Sequence, residues 1–286
     1  MFAIMTKKIA GWINTHKYPP LVYRYPRLLG LQFLLNRLLY LRTWVIRHGV
    51  KRAMREQSEP VHFLDAGCGA GDFLLTFAKR FPNAEFTGVD ISESNIRIAG
   101  LYSDARGIRN VRLNHADIQV FKTEDLFDVI LCASVLHCLP NSEVAIKNFY
   151  NVLKPGGVLL IYVPIANNRM IYGYTWLKKR FFQAVDYDLV NQIQHFNNLN
   201  DLVDKVKKAG FLVETIENAN GPFGQIAYEI TSLTLFIIQR FNAFVGIIST
   251  LIYTALYPLV ALLMGIDFLS AKKSGNSVFL TARKCN

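Results

Sequence analysis

The sequence predicts an α/β fold built on a doubly wound, mostly parallel sheet, and three observations support this prediction. Between residues 61 and 164, short apolar segments of strand length alternate with longer segments of helical character. The first apolar segment runs directly into a glycine-rich turn that opens a helix. Acidic residues follow the next two segments, where the strand ends of such a sheet bind ligands.

The first strand and its turn occupy residues 61–71, VHFLDAGCGAG. The apolar segment Val61 to Leu64 is the strand, and Asp65 follows it. Three glycines then alternate with other residues: Gly67, Gly69 and Gly71. Glycine allows a tight turn and leaves the backbone open to a ligand. The spacing matches neither the dinucleotide fingerprint nor a P-loop, so the turn alone indicates a nucleotide site or a turn without ligand.

The second and third strands each lead to an acidic residue. Residues 85–89 form the second strand, and Asp90 stands at its end. A carboxylate at that place can accept both hydroxyls of a ribose. The third strand, 111–114, leads to Asp117, which can accept the exocyclic amine of a base. Residues 127–134 are a fourth, central strand, and residues 153–164 contain a helix end, a Pro-Gly-Gly turn and a fifth strand.

These segments together resemble the class I S-adenosylmethionine-dependent methyltransferases. The similarity rests on LDAGCGAG, GVDIS, HADI, FDVILCASVLHCL and LKPGGVLLI, with weaker similarity over residues 195–217 and 277–284. The resemblance implies a Rossmann-like, seven-stranded, doubly wound sheet with S-adenosyl-L-methionine as cofactor. It also implies an enzyme rather than a binding module.

The resemblance also implies a role for each candidate cofactor-binding residue. The glycine turn approaches the methionine part, and Asp65 holds its amino group, directly or through water. Asp90 binds the ribose hydroxyls, and Asp117 binds the adenine amine. The other implied contacts are Ile91 packed on the adenine, the Ile118 N–H facing the ring, and Cys132 and Ala133 lining the methionine end. Asp117 as a helix cap and Ile91 as a core residue are the structural alternatives.

Methyl transfer from a sulfonium needs mainly alignment of the reacting groups, and a general base only when the acceptor must lose a proton. His137, just after the fourth strand, is the first candidate base, and His195 is the second. A pocket-wall role for His137 and a loop role for His195 are the alternatives. An Asn/Asp-Pro-Pro-aromatic motif is absent after the fourth strand, which disfavours methylation of base amines. No His, Asp or Cys spacing predicts a metal site.

The composition indicates one large domain with attachments: an extension over 1–57 and a catalytic domain over 58–286, with insertions at 165–198 and 219–275. Four cysteines without framework spacing suit a reducing compartment. The first 15 residues lack an apolar stretch of signal length, so no signal peptide is predicted. The net charge of +11 comes from the N-terminal 55 residues, which contain eleven Lys and Arg and no acid.

The N-terminal segment 27–55 combines leucines at helical spacing with interleaved arginines. This pattern predicts a basic amphipathic helix suited to an anionic membrane surface. A lid over the cofactor cleft is the alternative. Nucleic-acid binding is disfavoured, because a phosphate-binding face is more often rich in lysine than in leucine.

The segment before the last strand is the second unusual feature. Residues 241–266 contain no charged side chain. This uncharged segment is long enough to cross a bilayer. The flanking strands share one sheet, so the chain must cross an even number of times, and charges in 225–240 disfavour a second span. Gly246, Pro258 and Gly265 predict breaks, and hence a helical hairpin dipping into one leaflet. A soluble substrate cap is the alternative.

These features predict a methyltransferase on the cytoplasmic face of a membrane that acts on a lipophilic small molecule, such as a quinone precursor, an isoprenoid or a lipid-linked compound. Aromatic residues in 165–198 would contribute to the acceptor pocket. The rival predictions are a soluble, cytoplasmic natural-product or RNA methyltransferase, and a non-catalytic cofactor-binding membrane adaptor. The sequence gives no indication of oligomeric state.

Overall fold

The computed structural model describes residues 18–165, 199–270 and 273–285. Its centre is one seven-stranded sheet with strand order β3-β2-β1-β4-β5-β7-β6. The strands are β1 (His62–Ala66), β2 (Glu85–Asp90), β3 (Val111–His115), β4 (Phe127–Ala133), β5 (Leu153–Pro164), β6 (Phe211–Ala219) and β7 (Ser277–Lys284). The strands β1 to β5 pair in parallel, and β7 runs antiparallel to both β5 and β6. The predicted α/β, Rossmann-like, seven-stranded fold is confirmed.

Helices cover both faces of this sheet. They are α1 (Pro20–Arg24), α2 (Leu29–Leu39), α3 (Leu41–Glu56), α4 (Asp72–Arg80), α5 (Glu93–Arg106), α6 (Ser142–Val152), α7 (Leu199–Lys208), α8 (Pro222–Arg240) and α9 (Ala243–Leu269). One core cluster lies under α2 to α5, and a second, on the other face, lies under α6 and α7. This two-faced burial explains why the central strands are apolar on both sides.

The predicted Pro-Gly-Gly turn is part of β5 itself. The strand begins directly at Leu153, and Gly156 has a φ of 75°. The pairing with β4 shifts register between Phe127 and Val129. Glycine permits this left-handed conformation, so the turn becomes an irregularity within the strand instead of a connection before it.

The N-terminal extension is an integral part of the first core rather than an appendage. Buried residues of α3 include Ile46 and Val50, both fully enclosed. Gly49 brings α3 against β7, because a Cβ at this position would lie 2.2 Å from the Phe279 ring. The Arg52 guanidinium also forms an ion pair with Glu217 of β6, at 2.9 Å.

The helix predicted over residues 27–55 is two helices, α2 and α3, which separate at Tyr40. Tyr40 is extended, with φ −127° and ψ 117°. The Thr43 hydroxyl donates to the Asn36 carbonyl at 3.1 Å, and the Trp44 indole N–H donates to the Arg37 carbonyl at 2.6 Å. These side chains satisfy carbonyls at the end of α2, which lets the chain change direction there.

The insertion before β7 is a helical hairpin of α8 and α9, but the predicted breaks in it are wrong. The helix α9 continues through Gly246, Pro258 and Gly265. The chain turns instead just before Asn242, whose side chain accepts from the Val245 N–H at 3.1 Å and caps α9. The two ends of the insertion lie side by side, because the Asn276 N–H donates to the Asn220 carbonyl at 3.1 Å.

Candidate active site

The candidate site lies at the carboxyl ends of β1, β2 and β4. In the sheet, β1 lies between β2 and β4, and the strand order reverses between β1 and β4. Ligands of doubly wound sheets bind in the crevice at such a switch point. The glycine turn follows β1, Asp90 ends β2, and His137 follows β4, so the fold gathers these residues at one edge of the sheet.

Asp90 is the most highly ordered acid of the site. Its Oδ2 accepts from the Gly69 N–H at 2.8 Å. Its Oδ1 accepts from the Ser92 N–H at 2.9 Å and from the Asn95 side-chain amide at 3.1 Å. Two short donors from different loops hold the carboxylate in one orientation, which is the preorganisation that a pair of ribose hydroxyls needs.

The glycine turn has three left-handed residues, and they differ in what surrounds them. A Cβ on Gly67 (φ 85°) would lie 2.3 Å from Val135, and one on Gly71 (φ 88°) would lie 2.7 Å from Leu75. A Cβ on Gly69 (φ 55°) would meet nothing within 4 Å. Gly67 and Gly71 are therefore required by packing, whereas Gly69 borders open space that a ligand can fill.

Asp65 is buried at the end of β1, and its Oδ2 has no hydrogen-bond partner within the described part of the chain. Burial, with a smaller contribution from the Asp90 charge, raises the pKa of this carboxyl to about 8, against an opposing hydrogen bond from the Leu74 main chain. An unpaired buried carboxyl is costly, and a ligand ammonium would satisfy it.

The adenine-side residues are placed at the adjoining strand ends. Ile91 is 41% exposed beside Asp90, so its core alternative is wrong and its side chain is open to a ligand. Asp117 accepts from the Gln119 N–H at 2.8 Å and from its side-chain amide, as a turn-capping residue does. Ile118 is buried in the second core.

At the methionine end, Cys132 and Ala133 differ in placement. The Cys132 side chain is fully enclosed in the second core, and burial raises its thiol pKa. Successive residues of β4 point to opposite faces, so only the backbone of Cys132 can border the crevice, and its lining of the methionine end stays a prediction. Ala133 is half-buried and packs with the first core.

The two candidate bases have different outcomes. His137 is buried in the 3-10 turn Leu136–Cys138 directly after β4. This position is on the crevice side of the sheet, which keeps His137 as the candidate base. His195 lies outside the described residues, as do residues 166–198 of the acceptor-side insertion predicted over 165–198. Among the described residues, no group of three or more His, Cys, Asp or Glu could hold a metal ion.

No sequence pattern predicted a tyrosine at the ribose side of the site. The Tyr18 hydroxyl donates to the Asn95 side-chain oxygen at 3.1 Å, and Asn95 in turn donates to Asp90. Burial, then the Asp90 charge, raises the pKa of Tyr18 to about 12. A separation of 77 residues between Tyr18 and Asn95 hides this contact from any local pattern. Tyr18 therefore lies beside the ribose side of the crevice.

These features fit S-adenosylmethionine. Asp65 offers an unpaired buried carboxyl for the amino group, Gly69 leaves open space beside the backbone, and Asp90 is oriented for the ribose. The fold and the crevice are therefore those of a methyl-donor site of the class I type.

Comparison with known proteins gives the same class. Residues 57–194 match the family model described as a methyltransferase domain. A ubiquinone biosynthesis O-methyltransferase from Coxiella burnetii is 37% identical over 115 residues, covering 40% of this chain and 47% of that protein. A malonyl-[acyl-carrier protein] O-methyltransferase from Bacillus cereus is 30% identical over 104 residues, covering 36% and 38%. The alignments thus span less than half the length of either relative.

A solved structure supports the fold. The Haemonchus contortus phosphoethanolamine N-methyltransferase 2 in complex with S-adenosyl-L-methionine has a TM-score of 0.60 at 19% identity, covering 85% of this chain and 53% of that one. Residues 57–194 of this chain thus resemble a methyltransferase domain, and the chain shares its fold with this solved methyltransferase. The cofactor that fits the crevice is S-adenosyl-L-methionine.

Proposed function

We propose that this protein works at a membrane surface and transfers a methyl group from S-adenosylmethionine to a lipophilic small molecule. The observation that carries the proposal is a large exposed apolar surface on α2, α8 and α9, next to the strand ends that hold the donor site. Exposed apolar patches of this kind mark interaction or membrane surfaces.

The outer part of the hairpin is exposed on several sides. Its exposed apolar residues near the turn are Ile238, Phe241, Phe244, Ile247, Ile248, Leu251 and Ile252. Phe244 is 71% exposed and Leu251 is 64% exposed. Residues 244–269 form a helix long and apolar enough to cross a membrane by length and composition. Such exposure would be unfavourable in water and favourable in lipid.

Three threonine hydroxyl groups of the hairpin find their hydrogen-bond partners within it. Thr234, Thr250 and Thr254 each donate to the carbonyl four residues earlier, at 2.8 to 2.9 Å. Polar groups that enter an apolar phase need such internal partners. The pattern therefore supports the leaflet over bulk water.

The exposed leucines of α2 continue the apolar surface. They are Leu31, Leu34, Leu35 and Leu38, with Leu28 just before the helix. The Tyr257 hydroxyl of α9 donates to the Leu38 carbonyl at 3.1 Å, so the two surfaces meet. The hairpin and the N-terminal extension thus form one apolar face, which we call the apolar face below.

A group of cations on α2, α3 and α4 surrounds Lys51, and it includes Arg37 of α2, the helix that carries the exposed leucines. Partial burial lowers the pKa of Lys51, and the guanidiniums of Arg80, Arg47, Arg37 and Arg55 lower it further. Cations close enough to oppose one another's charge favour an anionic surface, and each contributes about 1 kcal/mol near an anionic membrane. This clustering supports attachment to the negatively charged cytoplasmic leaflet, which is the proposed location.

The chain's residues position the reaction rather than perform difficult chemistry. When bound, S-adenosylmethionine supplies an activated methyl group. Asp65 and Asp90 hold two parts of the donor and so orient its methyl group. His137 accepts a proton when the acceptor is a hydroxyl.

The acceptor class rests on the apolar face and on the relatives. The name of the Coxiella relative, a ubiquinone biosynthesis O-methyltransferase, supports a quinone precursor, whereas the name of the Bacillus relative gives malonyl-[acyl-carrier protein] as its acceptor. A soluble natural-product or RNA methyltransferase, with the hairpin as a substrate cap, and a non-catalytic membrane adaptor are the rival functions. A soluble methyltransferase would not bind membranes, so vesicle binding distinguishes it from the proposal. A non-catalytic adaptor would transfer no labelled methyl group, so a labelling assay distinguishes it.

The experiment supplies labelled S-adenosylmethionine to a lipid extract, to RNA and to water-soluble metabolites. We expect label in the lipid fraction. Label confined to RNA or to water-soluble products would contradict the proposed acceptor class, and no label in any fraction would favour the adaptor.

The membrane arm measures flotation with phosphatidylcholine/phosphatidylglycerol vesicles. Leu251→Asp should reduce vesicle binding at least tenfold, because it places a charge at the hairpin surface. The matched control is Leu212→Asp on β6, which is similarly exposed (57% against 64%) but outside the apolar face. Equal binding by both variants would contradict the membrane proposal.

A further inference from the structure

A cavity lies where α2 and α3 meet α8 and α9, beside the end of β6. It has a volume of about 240 Å³ and is lined by Leu39, Tyr40, Leu41, Arg42, Asn220, Gly224, Tyr228 and Met264. Arg42 is the one charged residue in this lining. The extended conformation of Tyr40, which separates α2 from α3, places Arg42 at this cavity.

The Arg42 guanidinium has no carboxylate within salt-bridge distance among the described residues. Its carbon lies 5.3 Å from the centroid of the Tyr40 ring, which holds the guanidinium against the cavity wall. Asp72 is a nearby acid, and burial raises the pKa of its carboxyl overall, although the Arg42 charge lowers it. The hydrogen-bond partner of that carboxyl is the Asn36 side-chain amide, at 2.8 Å. The guanidinium donors of Arg42 are therefore available to a ligand.

A neutral donor, the Tyr40 phenol, also lines the cavity. Burial raises the pKa of the Tyr40 phenol, so it stays protonated at neutral pH and can donate a hydrogen bond. Asn220, with a left-handed φ of 53°, is fixed by bonds from its side-chain amide to the Tyr162 hydroxyl and the Ser277 hydroxyl, both at 3.2 Å. The Asn220 amide is therefore a fixed part of the cavity wall, and the Arg42 guanidinium with the Tyr40 phenol is suited to a carboxylate or a phosphate.

The cavity adjoins the donor site through consecutive contacts. Tyr162, which bonds Asn220, lies in β5 opposite Ala133 of β4. The Tyr162 carbonyl accepts from the Ser134 N–H at 2.8 Å. The next residue, Val135, packs against Gly67 of the glycine turn. A group bound in the cavity is thus held at the same strand ends as the methyl donor.

The size of the cavity limits what enters it. At about 240 Å³ it is smaller than the roughly 300–1,000 Å³ of most ligand pockets, so it holds one end of an acceptor. The rest must lie outside, and the adjoining surface is the apolar face, joined to α2 through Tyr257 and Leu38.

We propose that this cavity is the subsite for an anionic group, carboxylate or phosphate, of an amphiphilic methyl acceptor, with Arg42 as its cationic partner. This inference rests on the proposed function and specifies its acceptor. The acceptor then carries its charge toward Arg42 and its apolar part along the apolar face.

The test uses the full chain and isothermal titration with three probes: decyl phosphate, uncharged decyl glucoside and inorganic phosphate. Decyl phosphate should bind at least about tenfold more tightly than either of the other two, because only it offers both the charge and the tail. Similar affinity for decyl phosphate and decyl glucoside would overturn the inference, and so would similar affinity for decyl phosphate and inorganic phosphate.

The variants locate the charge. Arg42→Gln should weaken decyl phosphate about tenfold and leave decyl glucoside unchanged, while Arg42→Lys should recover part of the loss. The control is Lys208→Gln, an exposed cation of α7 on the opposite face of the sheet, which should change nothing. No loss with Arg42→Gln, or the same loss with Lys208→Gln, would overturn the inference.

Two further measurements distinguish the sources of the anion and separate the two proposals. Arg42→Gln should bind phosphatidylglycerol vesicles as well as the unmodified chain does; a matching loss would make Arg42 a lipid-headgroup contact and overturn the inference. In the lipid-extract assay, Arg42→Gln should raise KM for the extract and leave kcat unchanged. Decyl phosphate binding through Arg42 without label in any extract would contradict the proposed function alone.

Discussion

The backbone N–H of Gly69 donates a hydrogen bond to Oδ2 of Asp90, with 2.8 Å between the two atoms. The glycine turn after β1 thereby orients the acid at the end of β2, although 21 residues separate them. The glycine turn and the Asp90 carboxylate are thus held in a fixed relative position before the cofactor binds.

Asp90→Ala should weaken S-adenosylmethionine binding about 10- to 100-fold, because the ribose hydroxyls lose a charged acceptor. Isothermal titration measures this change. Asp104→Ala, which removes an exposed carboxylate from α5, is the control and should bind normally. Unchanged affinity in Asp90→Ala would place the ribose elsewhere.

Asp65 should make cofactor binding release a proton. Its pKa of about 8 in the free protein means that the carboxyl is mostly neutral at pH 7, and a bound ammonium favours its ionised form. Titrations in buffers of different ionisation enthalpy should show about one proton released by the unmodified chain and close to none by Asp65→Asn. Equal release by both chains would contradict this assignment.

The same group should affect stability in a defined pH window. A carboxyl whose pKa rises from 3.8 to about 8 on folding binds more protons in the folded state, so the free energy of unfolding falls as pH rises from about 4 to about 8. Asp65→Asn should remove that fall, giving a higher Tm than the unmodified chain at pH 8.5 and a similar Tm near pH 4. The opposite order at pH 8.5 would contradict the prediction.

Two alanine substitutions in the glycine turn should separate folding from binding. Gly67→Ala should lower the free energy of unfolding by about 2 kcal/mol or more, because a left-handed alanine is strained and its Cβ would clash with Val135. A Cβ at position 69 would meet no atom within 4 Å. Gly69→Ala should therefore lower the free energy of unfolding by only about 1 kcal/mol, and its main effect should be weaker cofactor binding. Urea unfolding and cofactor titration distinguish the two, and equal profiles would refute the distinction.

Tyr18 should slow the release of the cofactor. Tyr18→Phe removes the bond to Asn95 and should increase the dissociation rate of S-adenosylmethionine about 2- to 10-fold, the effect of one neutral hydrogen bond. Stopped-flow displacement measures this rate. The control is Tyr25→Phe, an exposed tyrosine of the same segment, and an equal change in both variants would exclude a specific role.

The fold and the donor site were largely predictable because their signals are local. A strand that ends in alternating glycines, followed by acids at the next strand ends, repeats a pattern set by backbone geometry within a few residues. The position of Cys132 was harder to predict, because neighbouring residues of a strand face opposite sides and the motif does not say which side is the crevice.

The hairpin illustrates what local signals leave out. Proline and glycines predicted breaks in α9, but the helix is continuous. Its C-terminal end is held by a contact with residues far away in the sequence. There, buried Asp267 accepts from the Gly221 and Gly224 N–H groups at 3.2 and 3.0 Å and so caps α8. Packing and a buried cap outweigh helix propensity, which is a weak effect for each residue.

The sequence by itself determined the sheet, the glycine turn, Asp90 and the concentration of positive charge and leucine near the N-terminus, since each is encoded in neighbouring residues. Only the tertiary structure decided that Tyr18 reaches the ribose side, that α3 belongs to the core, and that Arg42 lines a cavity beside the apolar face. Those relationships join residues 77 to more than 170 positions apart, and they exist only because burial of both faces of the sheet brings the segments together.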